Sequence, residues 1–406
     1  MARIDTARLK AMKFEIDPPA DELAAHFIHR GQDDDSDDRD VGTPSDLFHA
    51  TLVSRYAADE LVDHRVMQWM AEQPDLPDWA DPERLHNGAA FFAEWGVELG
   101  LGLFLSSLPL AYASSDGAQV LALTARLETD ANRRVVESAQ FLLDVTKDGA
   151  LEPGAGGYDA ARLVRLMHAG VRHLIQHDAR FPKTSDATVW PRWDPEWGEP
   201  INQQHLIGAM LSFSSSLLHV LDAFEATYDA QGADDYCLLW NVVGWLLGID
   251  PTVLPMDREE MDRLEIEIRQ LNERESEAGR QMTAALLALV QSYIKVPGLR
   301  GYPATLMRLL IGDTTADLLA VPPANWTRVF TTTARELTRR LSLQEAHGRV
   351  QRVVVRWASM RVLNGFVQHE RHGSRPTFSI PTSLGVSVKT DARSPLDRAK
   401  GWIGRA

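Results

Sequence analysis

The chain has 406 residues, enough to bury a large core in one or two domains. Its 44% hydrophobic and 24% charged content is that of an ordinary soluble globular protein. The formal charge of −15 repels phosphate backbones, and no basic patch overcomes it, so nucleic acid is excluded as a partner.

Cys237 is the sole cysteine, so no internal disulfide forms, in keeping with a reducing compartment. Its apolar setting between Tyr236 and Leu238 reads as a core position rather than a reactive thiol.

From the N-terminus, Met1 to Pro19 mixes charged and single apolar residues and lacks the ~7–15-residue apolar core of a secretory signal. The acidic run Asp33 to Asp38 reads as a solvated loop rather than a cation site. Ser45 reads as an N-cap. Apolar residues then recur at helical spacing over about 46–73, 88–112, 117–146, 158–177, 201–228, 234–249, 257–293, 302–320 and 325–361. Leu99 to Ser115 is free of charge but shorter than the ~20 residues of a membrane span. Only Thr377 to Lys389 looks extended. The pattern predicts an all-α protein, cytoplasmic and with no stable membrane span. It is a single large helical domain divided into an N-terminal helical segment with the acidic loop (1–80), a core (81–260), C-terminal helices packed on it (261–365) and a short irregular C-terminal arm (366–406).

Within the helix predicted over 158–177, Arg165, His168 and Arg172 fall at i, i+3 and i+7, which places them along one stripe of an otherwise apolar face. A histidine there is either a satisfied core residue or an imidazole aimed at a ligand. The flanking arginines suit carboxylates, either of a cofactor or of acidic neighbours. On the preceding helix, Arg134, Glu137 and Ser138 share a face at i, i+3 and i+4. They are either a surface pair or the polar groups opposite His168. The segment Pro200–Leu221 carries almost no charge yet holds Asn202, Gln203, Gln204, His205 and several serines. That is the composition of a pocket wall, or of a core helix whose hydroxyls bond back to its own carbonyls.

Weaker motifs carry no chemistry. Gly154 to Gly157 follows no strand and lacks a nucleotide-loop context, and His369 to His372 lacks the i, i+4 zinc spacing.

Four blocks together resemble the catalytic domain shared by latex-clearing proteins (rubber oxygenases) and the mycophenolic-acid-pathway oxygenase. The first runs from Leu123 through Arg134, Glu137, Ser138 and Phe141. The second is Gly154 and Gly157 followed by Arg165, His168 and Arg172. The third is Gly198, Pro200, Ile201, Asn202 and Gln203, leading to Phe213 and Ser214. The fourth is Leu239 and Trp240 through Gly244 to Ile249. Their order fits the family across roughly residues 88–260.

The resemblance implies an all-α fold with globin-like packing around one b-type haem. His168 would be the axial iron ligand, Arg165 and Arg172 cofactor-binding groups, and Arg134, Glu137 and Ser138 catalytic groups near bound O₂. Glu137 departs from rubber-cleaving members, which can place a lysine there as a second iron ligand. The implied reaction is O₂-dependent cleavage of a carbon–carbon double bond to carbonyl products, here in a small apolar substrate such as a terpenoid or other alkene. An electron donor is a further possible partner. A haem-dependent hydroxylase or peroxidase-like tailoring enzyme, and a non-enzymatic haem- or ligand-binding protein, are the alternatives.

Overall fold

The computed structural model describes residues 4–33, 64–124, 131–179, 181–189, 192–255, 257–294 and 300–323. Ser45 and the 46–63 part of the helix expected over 46–73, the helix expected over 325–361, the acidic run beyond Asp33, the irregular arm and the His369–His372 segment lie outside the described residues.

Among the described residues the structure is helical, with two isolated β-bridges and no strand. The N-terminal segment forms α1 (Thr6–Ala11), a short 3₁₀ turn at Met12–Phe14 and α2 (Pro18–Asp33). After α3 (His64–Ala71) comes α4 (Pro82–Gly102), which continues through a π turn at Leu103–Ser107 into α5 (Leu108–Ala113). Then follow α6 (Ser115–Thr124), α7 (Ala131–Val145) and α8 (Gly156–His177). The second half holds α9 (Gln203–Phe213), α10 (Ser215–Ala223), α11 (Ala230–Leu246), α12 (Arg258–Asn272), α13 (Glu277–Ser292), α14 (Tyr302–Ile311) and α15 (Asp313–Leu318).

Helix starts follow local chemistry. Asp81, Asn202, Asp229, Asp257 and Ser276 each accept a hydrogen bond from a backbone amide of the first turn, satisfying donors with no intrahelical partner.

Periodicity alone merged elements that the chain breaks. The stretch expected over 257–293 is two helices, because Glu273 leaves the helix in an extended conformation and Ser276 caps a new one. The stretch over 201–228 breaks at Ser214 (φ −107°, ψ −89°), whose hydroxyl donates back to the Met210 carbonyl. The apolar face stays in phase across both breaks, so the spacing pattern does not register them.

One apolar core runs from Ile4 to Val321, so the N-terminal and C-terminal helices pack on the same interior as the middle of the chain. Among the described residues the most extensive helix packing is α4 against α11, where a Cβ on Gly88 would lie 2.5 Å from the Asp235 carbonyl oxygen. Two stretches, Pro82–Ala113 and Gln203–Ala223, are long and apolar enough to cross a membrane by composition. They are 72% and 67% buried inside the protein, as core helices are. Cys237 is buried, and that burial pushes its thiol up to about 12, the behaviour of an inert core cysteine.

Candidate active site

An apolar cavity of about 400 Å³ opens between α5, α6, α7, α8, α9, α11 and α12. This volume lies in the range of small-molecule sites. From α8 it takes Val164, Met167, His168 and Val171, at i, i+3, i+4 and i+7, which is one helical face. From α7 it takes Glu137, Ser138 and Phe141. Trp240 closes the α11 side, its ring stacked on Phe213 at 5.1 Å.

His168 is the central polar group of the α8 face. Burial, aided by the Arg172 cation, lowers its pKa to about 3, so the imidazole is neutral across the physiological range. Part of the ring opens to the cavity, while Nδ1 is buried without a hydrogen-bond partner. His168 Nδ1 therefore lacks the partner that a satisfied core histidine would give it in this structure. A neutral imidazole with an unused ring nitrogen on a cavity wall is what a metal ligand requires. Among the described residues no cluster of three or more His, Cys, Asp or Glu can hold a bare metal ion. A metal at His168 would take a single protein ligand from this wall, which is the axial role in haem. The residues present fit that group on this count.

The two stripe arginines do something else. Arg165 forms a bidentate pair with Asp17, Nε to Oδ2 at 2.6 Å and Nη2 to Oδ1 at 2.7 Å. Arg172, 1% exposed, donates to Asp21, to the Pro200 carbonyl at 2.9 Å and to the Ile201 carbonyl at 2.6 Å. Neither lines the cavity. In this structure both arginines, expected as cofactor-binding groups, pair with acidic neighbours. At about 100° per residue, His168 lies roughly 60° around the helix from Arg165, while Arg172 lies within about 20° of it. The stripe therefore divides: the arginines face α2, and the histidine faces the cavity.

That division makes the arginines positioning groups. Asp17 and Asp21 clamp the start of α2 onto α8, and Ala20, Ala24 and Ala169 pack in the seam. Burial raises the pKa of Asp21, and the Arg172 cation opposes the rise. Ile201 lies on the cavity wall with φ +48°, a region that a β-branched side chain rarely adopts, and its carbonyl is held by Arg172. Gly248 completes the knot. It has φ +89°, its carbonyl accepts from Gln203, and a Cβ there would lie 2.3 Å from Asp17 Oδ2 and 2.7 Å from Arg165 Nε. Gly248→Ala is expected to lower stability by about 2–4 kcal/mol, through the left-handed backbone and the crowding of the ion pair. Urea unfolding measures this, and a loss below about 0.5 kcal/mol would show that the pair does not depend on the glycine.

Of the other expected residues, Glu137 and Ser138 share the cavity with His168, whereas the side chain of Arg134 lies outside the described residues. The polar segment after Pro200 proves to be both wall and scaffold. Gln204, His205, Ser212 and Ser216 line the cavity, while Ser214 and Ser215, at the break after α9, donate back to the α9 carbonyls of Met210 and Leu211, and Asn202 caps the start of α9. Of the glycines at 154–157, Gly157 serves packing, since a Cβ there would meet the Asp144 carbonyl oxygen at 2.5 Å, and Gly154 takes a positive φ of +81°.

Sequence reasoning missed the acidic partners Asp17 and Asp21, and it missed that α12, within the helical run expected over 257–293, brings Glu265, Arg269 and Asn272 to the cavity. The only local signal for Asp17 was its place before Pro18-Pro19, a helix-start pattern.

The model of the family described as ER-bound oxygenase mpaB/B'/Rubber oxygenase, catalytic domain, matches residues 84–367, well over half of the chain. A rubber oxygenase of Streptomyces sp. (strain K30) is 23% identical over 198 residues, which is 46% of this chain and 44% of that relative, so the likeness spans less than half the relative's length. The fold is similar to that of latex clearing protein LCP in its closed state, with a TM-score of 0.69 and 20% identity over 91% of this chain and 95% of that one. The match extends past the motif-bearing core into the C-terminal helices, and the chain belongs to the mpaB/B'/rubber oxygenase catalytic-domain family.

Proposed function

We propose that the protein is a haem b-dependent oxygenase that uses O₂ to cleave a carbon–carbon double bond of a small apolar substrate. The observation that carries this reading is His168: a neutral imidazole with a buried, unpartnered Nδ1 on the wall of a large apolar cavity. Family membership supports oxygenase chemistry. When bound, haem would supply the iron at which O₂ is activated.

The chain's own residues would do the rest. His168 would hold the iron from the α8 side. The apolar walls would take up the alkene and exclude water. Ser138 offers a hydroxyl donor, and Glu137 a carboxylate able to accept or return a proton, both from the adjacent helix α7. Arg165 and Arg172 would act at one remove, fixing α8 and Ile201. The overall reaction balances without an external reductant: the double bond is broken, and each atom of O₂ ends as one carbonyl oxygen.

A cytoplasmic location and a substrate smaller than a polymer are part of the same proposal. The test is absorbance followed by product analysis. Protein produced with haem available is expected to show a Soret band, to consume O₂ with an alkene and to yield two carbonyl fragments by mass spectrometry. Protein that stays colourless after haem is supplied would overturn the reading. A product with one added oxygen and an intact skeleton would make it a hydroxylase instead.

A further inference from the structure

The cavity has a polar wall that the oxygenase reading leaves unused. It comes from α9, α12 and the start of α6, whereas His168 and Glu137 come from α8 and α7. Its hydrogen bonds are ordered by one chain of contacts. The Leu9 carbonyl accepts from Gln204 Nε2 at 2.7 Å, which orients the Gln204 amide. Gln204 Oε1 then accepts from Asn272 Nδ2 at 2.7 Å. This orients Asn272, whose side-chain oxygen Oδ1 is left buried without a partner, in a residue only 4% exposed that lines the cavity.

His205 stands on the same wall. Asp116 is anionic: burial favours its neutral form, but His205 and Lys13 outweigh that and hold its pKa far below the usual carboxylate value. It accepts from Lys13 Nζ at 2.8 Å and from the Ser114 hydroxyl at 3.0 Å. His205 Nε2 lies 3.5 Å from Asp116 Oδ2, an electrostatic contact at the limit of a hydrogen bond. Both His205 ring nitrogens are buried without a hydrogen-bond partner, so a neutral imidazole leaves a second acceptor unmade on this wall. A buried acceptor left unmade costs free energy, so two of them on one cavity wall call for a donor from the ligand.

We infer that Asn272 and His205 form a subsite for the hydroxyl group of the substrate, so that the cavity takes an alkene alcohol rather than a pure hydrocarbon. A hydroxyl donates its proton to one of the two acceptors, while the chain lies along the apolar walls. A carboxylate is disfavoured, because it brings no donor and meets Glu265 and Glu273 on the same wall, where the one lining cation among the described residues, Arg269, is already paired with both. The inference rests on the oxygenase reading only in calling this ligand a substrate; binding itself does not depend on it.

The test compares three probes of one skeleton by calorimetric titration of the full-length protein: citronellol, its hydrocarbon 2,6-dimethyloct-2-ene, and citronellic acid. The wild type is expected to bind the alcohol about tenfold more tightly than the hydrocarbon, and the acid most weakly. Asn272→Leu, of similar volume, and His205→Phe are each expected to remove most of that preference while hydrocarbon binding stays within about twofold. Equal binding of alcohol and hydrocarbon by the wild type overturns the subsite. So does a preference that survives both substitutions. Thermal unfolding of each variant identifies misfolding, and in that case Asn272→Ala, which removes the acceptor without adding volume or charge, is expected to lose the same alcohol preference. Haem content is read on the same samples by absorbance. An alcohol preference in colourless protein would sustain the subsite and remove the oxygenase reading.

Discussion

His168→Ala is expected to lower haem affinity by more than about 100-fold, beyond the ~10–100-fold that loss of a supporting group around a metal typically costs. The variant should show no Soret band at haem concentrations that saturate the wild type. Folding should survive, because the imidazole contributes little to the scaffold. Its Nδ1 makes no hydrogen bond, and its burial holds it in the neutral form without a compensating partner. Far-UV circular dichroism should therefore be unchanged. The deletion leaves an imidazole-sized space open to the cavity, so added imidazole is expected to restore part of the Soret absorption. An unchanged Soret band in the variant would remove His168 from the iron.

Arg172→Met carries the largest expected effect on stability, a loss of about 3–5 kcal/mol in urea unfolding. The guanidinium is 1% exposed and serves three acceptors: Asp21 and the carbonyls of Pro200 and Ile201. Removing it leaves a half-buried carboxylate without its cation and two carbonyls without their donor. It also frees Ile201, whose φ of +48° is held by that hydrogen bond. The double variant Asp21→Leu/Arg172→Met is expected to recover roughly 1–3 kcal/mol of the loss, because the orphaned charge is gone while the carbonyls remain unserved. A single-variant loss below about 1 kcal/mol would mean that water replaces the guanidinium at this seam.

What could be read from the sequence was whatever depends on neighbours within a few turns. The face of α8 is an example. Val164, Met167, His168 and Val171 recur at helical spacing, and a pattern of that kind survives folding because the helix itself imposes it. Helix α7 behaves likewise, bringing Glu137 and Ser138 to the cavity together. The boundaries were less legible. Glu273 to Ser276 interrupts a run whose apolar phase continues on either side, so only the cap chemistry of Ser276 marked the break.

The partners of the stripe arginines belong to a different category. Asp17 is 148 positions from Arg165 and Asp21 is 151 from Arg172, so no local spacing relates them. The sequence offered two cations in need of anions, and both a cofactor and a second helix satisfy that need equally well on paper. Likewise Asn272 and His205 share a wall only because α12 packs on α9.

The sequence by itself determined the all-α class, the position of His168 on an apolar helix face and the family's motif order, since these follow from local periodicity and residue type. Tertiary structure alone decided that α2 takes the arginines, that His168 Nδ1 is left without a partner, and that a polar wall closes the cavity. Those outcomes depend on which distant segment wins each buried charge, a competition settled only when the core assembles.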